Sequence, residues 1–224
     1  MPAKVLVLCN KKGGVGKSTL AVNVGAALAK KGKVLIIDAD PQQSATKWND
    51  AAPEDAPLPM AVMGYPQEKV HQAIRKVMDQ FDYILVDTPP SSLAVSTITR
   101  SALLGADLAL VPVIPSPLDI WEAISIAELL EEINEIRESG GVTLLKSRLV
   151  VNRLKARTTL GGEVVDALGN LNIPMLSTMV HEREAYKHAV VEGCTVHDLK
   201  GDAGRIASDE IIDLTREILK VLDG

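Results

Sequence analysis

The stretch "CNKKGGVGKSTLAVN", residues 9–23, joins the apolar run "KVLVL" to a segment whose Leu20, Val24, Ala27 and Leu28 recur at helical spacing. A strand, a glycine-rich turn and an amphipathic helix in that order predict a phosphate-binding loop, not a chance cluster of glycines. Gly13, Gly14 and Gly16 let the backbone turn with its N–H groups inward, and a helix opening near Lys17 adds the positive end of its dipole. In such a loop Lys17 reaches the β and γ phosphates, and the Ser18 hydroxyl can ligate Mg2+.

Working outward, short runs that are apolar on both faces recur in "KVLIIDAD", "YILVDTPP", "LALVPVIP" and "RLVVNRL". Continuous Val/Ile/Leu runs are the pattern of parallel strands covered on both sides. Helical spacing is expected over 18–31, over 67–81 with Val70, Ile74, Val77, Met78 and Phe81, and over about 93–104, 118–138, 161–170, 183–192 and 208–222. Alternation of this kind predicts an α/β fold, a doubly wound, mostly parallel sheet flanked by helices. The Pro- and Ala-rich stretch 49–66 reads as a surface connection around a short strand near 60–63, so residues 1–224 form one expected domain.

Composition narrows the function. Apolar residues make up 46% of the 224 and charged residues 24%, ordinary values for a globular chain, and with one Phe the core must be aliphatic. Cys9 and Cys194 are the two cysteines, too few for a disulfide framework and without metal-ligand spacing, which suits a reducing, cytoplasmic compartment. The N-terminal apolar run stops at Lys11 and Lys12, well short of a membrane span. At a net charge of −5 the surface as a whole does not attract nucleic acid, so any such binding needs a local basic patch.

Three aspartates close strand-like runs. Asp38 and Asp40 end "VLIIDAD", two residues apart, and Asp87 ends "YILVD". Ligands of open α/β sheets lie beyond the carboxyl ends of the strands, where these carboxylates fall. Mg2+ keeps several waters, so Ser18 directly and Asp87 through water would suffice as its protein ligands. Thr88, Pro89 and Pro90 follow as a γ-phosphate sensor or as a simple turn, and Asn152 in "VVNRL" is either a base-reading residue or a turn former.

Position 11, where the general phosphate loop has glycine, is Lys11. The run Lys12-Gly13-Gly14-Val15-Gly16-Lys17-Ser18-Thr19 instead resembles the deviant loop of the ParA/MinD family of ATPases, and small ParA-type partition ATPases in particular. "DADPQQSATKW", "FDYILVDTPPS", "PVIPSPLDIW" and "HEREAYKHAVVEGCTVHDL" follow in the family's order. The resemblance implies ATP and Mg2+ as cofactors and a homodimer when ATP is bound. In that dimer Lys12 reaches the nucleotide of the other subunit, Asp40 activates the attacking water, Asp38 supports the Mg2+ region and Asn152 reads the adenine edge. It further implies binding to non-specific nucleoid DNA, and a cargo-bound ParB-like or adaptor protein that stimulates weak basal hydrolysis. The cargo would be a plasmid, a chromosome origin or a large protein assembly. Arg183 and the segment from Lys200 to Arg205 fall near the family's DNA-contacting positions; Lys187, Lys155 and Arg157 are further candidates, interleaved with Glu182, Glu184, Asp198 and Asp202. The chain opens directly on the first strand, so the helix-turn-helix extension of larger ParA proteins is not expected.

Two other functions use this loop. A MinD-like membrane switch needs a basic amphipathic C-terminus, whereas "SDEIIDLTREILKVLDG" is acidic on balance and its apolar stripe suits packing on the sheet. An ATP-dependent synthetase of the same superfamily would turn over ATP only with a small-molecule acceptor. Iron–sulfur relatives need paired cysteines that this sequence lacks between Cys9 and Cys194.

Overall fold

The computed structural model describes residues 2–90, 97–155, 168 and 172–224. Six parallel strands form one sheet: β1 (Lys4–Leu8), β2 (Val34–Asp38), β3 (Ala61–Gly64), β4 (Tyr83–Asp87), β5 (Leu108–Val113) and β6 (Lys146–Val151), in the order β3-β2-β4-β1-β5-β6. Every run read as a strand forms one. Side chains alternate across each strand and both faces are covered. Leu6, Leu8, Ile36, Leu85 and Leu110 enter one core, while Val5, Val7, Ile37, Val86 and Val111 enter the other.

Seven described helices flank the sheet: α1 (Lys17–Ala29), α2 (Ser44–Asp50), α3 (Val70–Val77), α4 (Thr97–Leu104), α5 (Pro117–Ser139), α6 (Glu184–Glu192) and α7 (Asp202–Asp223). The α1 helix is buried almost all round, from Leu20 to Leu28, wider than the single stripe expected of it. It lies on the sheet and is itself covered by α7, whose Ile211, Leu214 and Ile218 are fully buried in the same cluster. The C-terminal stripe is therefore spent inside the fold.

Three elements differ from the sequence reading. The α2 helix was not expected; at seven residues it carries only two buried side chains, Ala45 and Trp48, and so no periodic signal. The α3 helix is shorter than 67–81, starting after Lys69 and closing at a Met78 cap. Conversely α7 begins at Asp202, not 208, because its first turn is mostly exposed and shows no apolar period. The helix expected over 161–170 lies outside the described residues apart from Leu168, which is helical and buried. Residues 93–96 and Arg157 also lie outside them.

Strand order reverses about β1, whose neighbours β4 and β5 lead to opposite halves of the sheet. That reversal opens a crevice beyond the carboxyl end of β1, where the glycine loop stands.

Candidate functional site

The loop between β1 and α1 is anchored from its first residue. Asn10, almost wholly buried, donates from Nδ2 to the Pro112 carbonyl (2.7 Å) and accepts the Lys12 N–H at Oδ1 (3.0 Å). Sequence reasoning missed Asn10; its one signal was a polar residue continuing a buried strand. Gly14 and Gly16 take left-handed φ of 75° and 93°. At Gly16 a β-carbon would stand 2.2 Å from the Asn152 Nδ2, so glycine is required there twice over. The first turn of α1 contains no acidic residue, which leaves its positive end free to face an anion.

Lys17 is buried beneath the loop with its Nζ on the carbonyls of Asn10 (3.3 Å) and Lys12 (3.2 Å). Burial pulls its pKa down, while Asp87 and Asp40 act in the opposite direction. Asp38 and Asp87 are register partners on β2 and β4. Asp38 is saturated: Oδ2 accepts the Thr46 N–H (2.8 Å) and hydroxyl (3.0 Å), and Oδ1 accepts the Asp40 N–H (3.3 Å). Asp40 lies beyond the end of the strand, lines the cleft and accepts the Gln42 N–H (2.8 Å). Thr88 is fully buried, its hydroxyl on the Leu8 carbonyl (2.8 Å).

Asp87 is 1% exposed, and neither carboxylate oxygen has a hydrogen-bond partner among the described residues. Burial pushes its pKa up to about 7; the nearby Ser18 hydroxyl pulls the other way without completing a well-formed bond. An orphaned buried carboxylate beside Ser18 and Lys17 fits a hard cation shared with phosphate oxygens and water. Among the described residues no group of three or more His, Cys, Asp or Glu could hold a metal ion by itself, so such a cation would take most of its shell from the nucleotide and solvent.

Over the loop lies a cleft of about 440 Å³, within the range of about 300–1,000 Å³ common for small-molecule sites. Gly13, Gly16, Lys17, Ser18 and Thr19 line its loop end, and Leu20, Trp48, Val180 and Tyr186 give an apolar wall beyond. Asn152 and Arg153 border it. Asn152 Nδ2 donates to the Val15 carbonyl (2.7 Å), and Arg153 donates to the Gly14 carbonyl (2.9 Å) and pairs with Glu182 (2.8 Å). Arg153 was not singled out from sequence. On the far side α7 holds the 177–183 wall through Glu217, which accepts from Ser177 and Thr178, and Glu210, which accepts from His181 and Arg183.

The candidate DNA contacts are mostly engaged within the chain. Arg183 is bound to Glu210 (2.5 Å), Lys187 to Glu184 (2.8 Å), and Arg205 to Asp202 (3.3 Å) and Asp209 (3.5 Å). Lys200 is exposed and has no carboxylate partner among the described residues.

Among doubly wound sheets, a first strand that ends in such a loop at the switch point marks the phosphate-loop nucleotide-binding proteins, and this chain is one of them. Within that class it belongs to the CbiA family, the CobQ/CobB/MinD/ParA nucleotide binding domain, which matches residues 6–196. It is 33% identical over 217 residues to the maintenance of carboxysome distribution protein A of Halothiobacillus neapolitanus, with 97% of each chain covered. Against the sporulation initiation inhibitor protein Soj of Bacillus subtilis it is 28% identical over 202 residues, 73% of this chain and 78% of the relative. Of solved structures, the ATP complex of a Cyanothece McdA variant superposes with a TM-score of 0.78 at 20% identity, covering 97% of this chain and 96% of that one. The Aquifex aeolicus MinD cell division protein does so at 0.73 and 26%, covering 97% and 98%. No described helix is long and apolar enough to cross a membrane.

Proposed function

We propose that the protein is an ATP-gated dimer switch that positions a cargo along DNA and resets by hydrolysis. The observation that carries the proposal is Asp87, a buried carboxylate without a hydrogen-bond donor, placed beside Lys17 and Ser18 under a phosphate loop. Mg2+ held there by Ser18 and, through water, by Asp87 would neutralise charge between the β and γ phosphates.

The chain's own residues do the rest. Backbone N–H groups from Gly13 to Thr19 and the start of α1 hold the phosphates, and Lys17 leaves its loop carbonyls for the β and γ oxygens. Asp38 locks the first turn of α2 and so sets where Asp40 stands; Asp40 orients the attacking water and takes its proton as the bond from γ-phosphorus to the β–γ bridging oxygen breaks. Lys12 completes the partner subunit's site, adding a cation where transition-state charge spreads, which makes hydrolysis conditional on dimerisation. Asn152 stays a candidate for the adenine edge.

Similarity over nearly the full chain to a carboxysome distribution protein supports a large protein assembly as the cargo. In this reading the switch works on the nucleoid in the cytoplasm, with an adaptor protein as the hydrolysis trigger, as the ParA-like set of motifs implies. Packing of α7 into the core favours DNA over a membrane as the surface on which the switch works. The test is Mg2+-dependent release of phosphate from ATP by the purified protein: turnover that rises with protein concentration and is lost in Lys17→Ala supports the switch, and turnover only in the presence of a small-molecule acid would support a synthetase instead.

A further inference from the structure

Two consecutive residues at the end of β6 grip two consecutive carbonyls of the phosphate loop. Asn152 takes Val15 (2.7 Å) and Arg153 takes Gly14 (2.9 Å). A trans peptide is planar, with its C=O and the following N–H pointing in opposite directions. Fixing the Gly14 carbonyl therefore fixes the Val15 N–H, and fixing the Val15 carbonyl fixes the Gly16 N–H, both directed away from β6. The neighbouring carbonyls are held too: Lys12 by Lys17 Nζ (3.2 Å) and Gly16 by the Leu20 N–H of α1 (2.9 Å).

Arg153 is held in an unfavourable backbone state to do this. Its φ of 53° makes it one of two non-glycine residues in the left-handed region among those described. Such a conformation persists where the surroundings over-determine it, and here they do. The guanidinium is clamped between the loop and Glu182, and the next residue back, Asn152, is 4% exposed and fills the space that only a glycine at position 16 leaves open.

Resting on the ATPase reading above, we infer that Asn152 and Arg153 are positioning residues for the phosphates: a brace outside the loop that aims the Val15 and Gly16 N–H groups at the nucleotide. This gives Asn152 a task different from reading the base. A brace acts on phosphate whatever base is attached, whereas a base reader separates ATP from GTP.

The experiment is titration of the full-length protein and of Asn152→Ala, Arg153→Gly and Arg153→Lys with ATP, GTP and inorganic tripolyphosphate, alongside melting of the unliganded proteins. Glycine relieves the left-handed backbone, so Arg153→Gly should melt no lower than the parent while losing the brace. Asn152→Ala and Arg153→Gly should each weaken all three ligands by the same factor, about fivefold or more for one missing hydrogen bond, and Arg153→Lys should recover part of it. Because Asn152 is uncharged, its effect on tripolyphosphate cannot come from a change in charge attraction. Loss confined to ATP, or unchanged affinity in both variants, overturns the brace and leaves the ATPase reading intact; a parent protein that binds no ATP overturns that reading instead.

Discussion

Asp38 and Asp87 are register partners on β2 and β4, both buried, yet among the described residues only Asp38 has donors for its oxygens. The chain satisfies the first by folding α2 so that the Thr46 N–H and hydroxyl meet it, and it leaves the second bare. One carboxylate is built into the fold. The other is kept for something that the fold does not supply.

Substituting each in turn should separate these roles. Asp38→Asn sets an amide where an acceptor is needed and should cost about 1–3 kcal/mol in thermal or denaturant unfolding. Asp87→Asn should leave the unliganded protein at least as stable at pH 8 while removing Mg2+-dependent stabilisation by ATP. The sign follows from the raised folded pKa of about 7 against the ordinary 3.8: the buried charge costs stability as pH rises above the unfolded value, and the cost is complete above the folded one. The advantage of the Asp87→Asn variant over the parent in melting temperature should thus grow between those two pH values and then level off.

Gly16→Ala tests the tightest point of the loop. A methyl group there meets Asn152 Nδ2 at 2.2 Å on a backbone at φ 93°. Left-handed strain of about 1–3 kcal/mol should be relieved by distorting the loop. ATP affinity is expected to fall by more than tenfold with circular dichroism unchanged, as isothermal titration can show.

Glu217 predicts part of the acid limb. Burial raises its pKa, but bonds from Ser177 and Thr178 outweigh that and hold it below the ordinary 4.5. A depressed folded pKa gives stability that is present above the unfolded value and lost as pH falls through the folded one. Glu217→Gln should therefore be less stable than the parent at pH 7, with the difference closing as pH falls from about 4.5 through the depressed folded value.

The basic residues divide in the same way. Arg183 is locked to Glu210 beside the cleft, so Arg183→Ala should lower the melting temperature as well as any DNA affinity. Lys200, exposed and without an acidic partner among the described residues, should behave differently: Lys200→Ala leaves melting unchanged and reduces the slope of log affinity against log salt by about one for each phosphate it no longer neutralises. Salt-dependent filter binding with ATP distinguishes the two.

Five strands and the phosphate loop were legible because buried parallel strands and a glycine-rich strand-to-helix turn are local patterns; the partly exposed β3 was read only as a short strand within the 49–66 connection. What escaped depended on interactions made at a distance. The α2 helix owes its first turn to a carboxylate eight residues earlier, an interaction without periodic trace. Arg153 reads as one more loop arginine until folding carries it to Gly14, 139 residues away in sequence. The basic stretch "HEREAYKHA" carried its charges openly, but the Glu210 partner of His181 and Arg183 was visible only once α7 was placed.

In the proposed function ATP switches the protein onto DNA. Retention on non-specific duplex DNA, measured with ATP, with ADP and without nucleotide across a salt series, tests it most directly. Retention is expected with ATP alone, falling steeply with salt and absent in Lys17→Ala; equal retention in all three nucleotide states, or none with ATP at low salt, would rule the switch out.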